Sequence, residues 1–151
     1  TTVKQSGGYV ITAQAAITDT CIGVLNGVFY NAATTQKPTW SNYYSQVTPA
    51  NSENITAFVI DNPHQLYVGM IDTAVPIANM GATFGFATTT GSTTSGQSTN
   101  KVLLAGGSAT ANTWRTVRIA EDPENQDITV ANCSVVFVQN LNQYANGVTM
   151  A

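Results

Sequence analysis

The chain has 151 residues, 43% of them apolar, only 9% charged, and a net charge of −3. That length fits one domain able to bury roughly 70% of its unfolded surface. Three Lys and two Arg form no basic cluster, so binding nucleic acid directly by counterion release is excluded, and no apolar run reaches membrane-spanning length.

Typical domains carry about 25% charged residues, so this exterior is built from Thr, Ser, Asn, Gln and Gly. Such a surface hydrogen-bonds with little desolvation cost, and its contacts depend weakly on salt. It suits a protein packed among neighbours. Residues 1–8 lack the charged-then-apolar pattern of a secretory signal.

In chain order, Thr1 to Gly8 reads as an extended arm before the first strand, and residues 9–151 as one β domain. Thr1, Thr2, Val3, Lys4 and Gln5 are candidate interface residues, because an arm of this kind can order as a strap on a neighbouring subunit. Tyr9 to Thr12 is a short strand. Cys21 to Tyr30 is a second, with Asn26-Gly27 inside it. That dipeptide is either a tight hairpin turn or a bulge in one long strand pairing with Trp40 to Val47, and the bulge is favoured because the two halves are too short for a hairpin. Trp40, Tyr43 and Tyr44 cap an edge of the core or form a contact surface for a sugar or a partner protein.

Residues 54–72 hold two apolar runs, Ile55 to Ile60 and Leu66 to Ile71, around Asp61-Asn62-Pro63. Apolar groups at successive positions predict strands covered on both faces, joined by a turn with its own chemistry. This pair is read as the central hairpin of the domain. One short helix is expected within Asp72 to Gly81, a strand over Thr83 to Thr88, a surface loop over Thr88 to Asn100, and a strand over Lys101 to Ala105. Trp114 to Ala120 and Ser134 to Leu141 are the last core strands. In the former, alternation places Arg115, Val117 and Ile119 on one face and Trp114, Thr116 and Arg118 on the other. The fold class is all-β: a single antiparallel barrel or sandwich with one short helix.

The sequence offers little catalytic chemistry. His64 lies three residues from Asp61, but no nucleophile elbow accompanies them. Gly91 to Ser98 has phosphate-loop spacing with Gln97 where the loop needs Lys. Glu121, Asp122, Glu124 and Asp127 could bind a hard cation but lack EF-hand spacing, and read as a solvated turn. Asn54 and Asn132 head glycosylation-type triplets read as accidental. Cys21 and Cys133 read as buried reduced thiols, with a disulfide between them as the alternative. No cofactor, metal or enzymatic role is expected.

Several phrases together resemble a known family. They are Ala57 to Pro63 with its returning strand, Asn79-Met80-Gly81-Ala82, the loop Gly91 to Ser98, Arg118-Ile119 leading to Asp122-Pro123-Glu124-Asn125, and Asn132 followed by Val135 to Val138 and Asn142-Gln143-Tyr144. Over residues 22–144 the chain resembles head-decoration (cement) proteins of tailed double-stranded-DNA bacteriophages. The resemblance implies a β domain on the outer face of the capsid, made in the host cytoplasm and commonly trimeric. It would bridge subunits of the major capsid protein. The competing expectation is a carbohydrate-binding module stacking sugars on Trp40, Tyr43, Tyr44 or Trp114.

Overall fold

In a computed structural model the described residues are 2–12, 20–44, 49–50, 53–87, 91–92, 94–108, 112–124 and 127–144. They form ten strands in two antiparallel sheets: β1 Thr2–Ser6, β2 Tyr9–Thr12, β3 Gly23–Asn31, β4 Pro38–Ser41, β5 Thr56–Ile60, β6 Leu66–Met70, β7 Thr83–Ala87, β8 Lys101–Ser108, β9 Trp114–Ile119 and β10 Ser134–Gln139. The fold is all-β. The short helix is one 3-10 turn over Ile77–Asn79, entered through Pro76.

The first sheet is built on β3. Val24 pairs with both Thr2 and Ile60, and Val28 with both Ser41 and Ala57. Strand β5 therefore lies along one edge of β3, while β1 and β4 share the other. The register slips between Leu25 and Gly27, so Asn26 is the extra residue of a bulge. The long bulged strand is the reading favoured above, but its hairpin partner is Pro38–Ser41 rather than Trp40 to Val47, of which 45–47 lie outside the described residues.

The second sheet runs in the order β6-β10-β9-β7-β8. It curls until Ile71, just beyond β6, forms a parallel bridge with Val102 of β8. Its concave side carries most of the core: Ile71, Val75, Phe84, Val102, Trp114, Cys133, Val135 and Phe137, with Cys21 packed against them. At its centre Trp114 meets Phe137 edge-on at 5.2 Å, Tyr67 at 5.4 Å and Phe86 at 5.6 Å. Edge-to-face packing sets positive ring edges against negative faces and adds about 0.5–1.5 kcal/mol per pair beyond area burial. Trp114 is 1% exposed, and its Nε1 has no hydrogen-bond partner among the described residues.

Three expectations are corrected. Residues 2–6 are extended but do not form an arm ahead of the first strand. They are β1, paired to β2 and β3, because Val3 buries its side chain to 4% exposure against the sheet. Strands β5 and β6 are not a hairpin: β5 pairs with β3, β6 with β10, and the link Asp61–Gln65 crosses from one sheet to the other. Finally, β9 carries a bulge at Val117, between Thr116 and Arg118. One extra residue reverses alternation. Arg115, Val117 and Arg118 are exposed, while Trp114 and Thr116 are buried and Ile119 packs against the core.

The segment after β10 returns to the start of the chain. Cys21 bridges Asn142 in parallel, with Cys21 N–H donating to Leu141 O and Gln143 N–H to Cys21 O. The Gln143 side chain then behaves as a strand partner of Gln5: its Oε1 accepts from Gln5 N–H at 2.9 Å and its Nε2 donates to Gln5 O at 3.1 Å. Tyr144 Oη bonds Gln5 Oε1. Cys21 and Cys133 are free thiols, both buried.

Candidate interaction surfaces

Two exposed apolar surfaces stand out. The first lies on the β3 sheet. Phe29 and Trp40 are register partners across β3 and β4, and Phe58 pairs with Gly27 across β3 and β5. Gly27 leaves room for the Trp40 indole to lie across the strand. A Cβ there would meet Trp40 Cη2 at 2.8 Å and Ser41 O at 2.9 Å. The indole reaches Phe58 edge-on at 5.0 Å, yet Trp40 stays 51% exposed. Phe29, Phe58 and Ile60 are exposed beside it.

The second lies on β6. Tyr67 and Gly69 point to the core side, while Leu66, Val68 and Met70 point out, with Val68 67% exposed. Across β10 the same face carries Val136, which is buried, and Val138, which is half-buried. No charged residue lies within β6.

Of the predicted interface residues, Thr1 lies outside the described ones. Thr2, Val3, Lys4 and Gln5 are tied into β1 by the pairing with β2 and β3 and by the Gln143 amide. Trp40 and Tyr44 are exposed rather than part of the core. Tyr43 is half-buried and packs on Gly96, where an added Cβ would come within 2.8 Å of Tyr43 Cβ. Trp114 is too buried to stack a sugar. The structure thus keeps Trp40 of the proposed platform and supplies Phe29 and Phe58, which sequence reasoning missed. The sequence reading places Phe58, Leu66, Val68 and Met70 on covered faces; periodicity marks which residues share a face, not whether anything lies over it.

Among the described residues the titratable groups do not converge. His64 is exposed in a turn where Asn62 Oδ1 accepts its backbone N–H. Asp122 accepts from Glu124 N–H, and Asp127 from both Thr129 N–H and Thr129 Oγ1. The Thr129 hydrogen bonds, hydroxyl first, hold the Asp127 carboxyl below its usual range. Burial raises the Cys133 thiol, with the charge of Asp127 adding to it. Burial raises the Tyr67 phenol, aided by Cys21 and Asp61. Among the described residues no three His, Cys, Asp or Glu side chains group as a metal site. The loop 91–98 closes on itself, with Ser92 N–H donating to Gln97 O and Gly96 N–H to Ser92 O. Those two amides are therefore not aimed at an anion. No helix of the described residues is long and apolar enough to cross a membrane.

Comparison with protein-family models, with curated proteins and with solved structures returns no match.

Proposed function

We propose that this chain is a structural protein of a tailed double-stranded-DNA bacteriophage. It binds the outer surface of the capsid as a homotrimer and braces the shell by bridging major capsid protein subunits. The role is mechanical, not enzymatic. One observation carries the reading: apolar sheet faces at Trp40 and Val68 lie open on a chain with only 9% charged residues. Contiguous exposed apolar surface marks an interaction site, and a Thr/Ser/Asn exterior can lie against other proteins without stranding buried charges. The resemblance over residues 22–144 supplies the kind of partner. With three copies joined, weak contacts gain by effective concentration, and a ligand specific for the closed shell stabilises it by mass action.

The test mixes the purified protein with assembled shells and with unassembled capsid subunits, then sediments and melts them. Co-sedimentation with shells alone, with a raised shell melting temperature, is expected. Failure to bind shells at concentrations far above physiological overturns the reading. A second reading, sugar binding, rests on Trp40, held edge-on by Phe58 with much of its surface open. It predicts a change in Trp40 fluorescence on glycan titration that Trp40→Ala abolishes.

A further inference from the structure

We propose that the outer edge of β5 is a self-pairing site, where a second copy of this chain adds its own β5 antiparallel about a two-fold axis at Phe58. This goes beyond the capsid reading and does not depend on it.

Two observations fix which backbone groups of β5 point out of the sheet. Ala32 sends its N–H to Lys37 O, on the β4 side. Alternation along β3 then turns Phe29 and Gly27 towards β5, where they face Thr56 and Phe58. At the other end of β5, a Cβ at Gly23 of β3 would fall against Ile60 O. Strand β5 has no bulge of its own, since Thr56 to Ile60 pair in unbroken succession. Thr56, Phe58 and Ile60 therefore turn their backbone groups towards β3, and Ala57 and Val59 turn theirs outward. The only ladder of β5 is with β3, and among the described residues no strand or isolated bridge lies along its other side. The outward N–H and C=O groups of Ala57 and Val59 have no partner among those residues. Exposed edges are commonly protected by Lys, Pro or a bulge. Strand β4 opens with Pro38, β8 opens with Lys101, and β6 is met by β8 where Ile71 bridges Val102. Thr-Ala-Phe-Val-Ile has no such guard.

The occupant follows from the order of residues about Phe58. A two-fold axis there sets Ala57 of each copy opposite Val59 of the other, the two residues whose backbone groups face out. Each of these pairs exchanges two hydrogen bonds, and a small side chain meets a β-branched one. On the open face Phe58 meets its own copy and Thr56 meets Ile60, all three exposed in the single chain. The strand carries no charge, and Asp61, the first charge beyond it, falls opposite Ile55, so no like charges are opposed. A C2 contact must be made by one patch with itself, and this strand satisfies that in hydrogen bonding, size and charge. Pairing along the edge leaves the Trp40 face open and, through Phe58, carries it into the same face of the second copy. If the protein is a trimer through another face, the same contact joins one trimer to the next.

The experiment uses the whole chain. Amide exchange of the native protein at Ala57 and Val59 should slow at least tenfold between dilute and concentrated samples, while Phe58 and Ile60, bonded within the sheet, stay slow in both. Phe58→Cys sets two thiols at a directly opposed position, where Cα atoms about 4.5 Å apart fall within disulfide range; the native thiols are buried. Mild oxidation should join two chains through residue 58, at least tenfold faster than for Val130→Cys, an exposed control outside β5. Ala57→Pro removes an outward donor, as edge strands tolerate, and should weaken self-association at least tenfold by sedimentation while the dilute protein stays folded. Exchange at Ala57 and Val59 that does not change with concentration, equal oxidation rates for the two cysteine variants, or unchanged self-association of Ala57→Pro overturns the proposal. If Ala57→Pro does not fold, the exchange measurement on the native chain decides. Shell binding without β5 pairing would remove this inference alone, and β5 pairing without shell binding would remove the capsid reading alone.

Discussion

The closest backbone approach in the first sheet gives a sharp test. Gly23 opens β3, beside the end of β5. A Cβ at residue 23 would fall well inside contact with Ile60 O, 2.8 Å from Ile60 C and 3.1 Å from Asp61 Cα, where ordinary contact begins at 3.4 Å. All three atoms are backbone, so no side chain can swing aside. Gly23→Ala must therefore push β5 away and loosen the pairs Val24–Ile60 and Leu25–Val59. Overpacking costs about 1–3 kcal/mol, and each of one or two weakened hydrogen bonds adds about 1 kcal/mol. A loss of about 2–5 kcal/mol lowers the melting temperature by roughly 4–20 °C in a domain this size. Thermal melts followed by circular dichroism measure it, with Thr56→Ala, at an exposed position of the same strand, as a control expected within about 0.5 kcal/mol of the parent. Hydrogen exchange should quicken first around Ile60. A Gly23→Ala protein melting within about 2 °C of the parent would show that β3 and β5 do not meet as described.

Further outcomes follow from the same structure. The two tryptophans differ in exposure, so acrylamide should quench one emitting fraction readily and the other poorly, and Trp40→Phe should remove the accessible fraction. Both thiols are buried, so the native protein should react with a thiol reagent far more slowly than the unfolded chain. Because the folded state raises the Cys133 thiol, its contribution to stability is present below the unfolded thiol value and declines as pH rises through the folded one; Cys133→Ser should flatten that alkaline slope in denaturant titrations. Asp127 behaves oppositely: its carboxyl is held low, so what it contributes is present above its unfolded value and lost as pH falls through the folded one. Removing the hydroxyl in Thr129→Val should move its NMR titration upward, towards the ordinary carboxylate range.

Much of the fold was legible in local sequence because strands declare themselves through β-branched and aromatic runs bounded by turns. Strands β3, β7, β9 and β10 and the Asn26 bulge were readable in this way. Pairing was less legible. Ile55 to Ile60 and Leu66 to Ile71 look like a hairpin because their link is short, yet a short link can also carry the chain between sheets. The Val117 bulge has no mark in Trp-Arg-Thr-Val-Arg-Ile. The place of Val3 depends on partners at Thr12 and Gly23, which no local pattern reveals. Candidate surfaces suffered most: Trp40 was singled out, whereas Val68 was assigned to the interior for being apolar.

The amide of Gln143 grips the backbone of Gln5 across a sequence separation of 138 residues. During synthesis the β1–β2 hairpin must wait for the chain to emerge through Gln143 before this clasp can shut. Loop closure over such a span is slow, so the nascent molecule should complete its fold late. Until then the Gln5 end of β1, beyond its pairing with β3, stays open to whatever strand comes near.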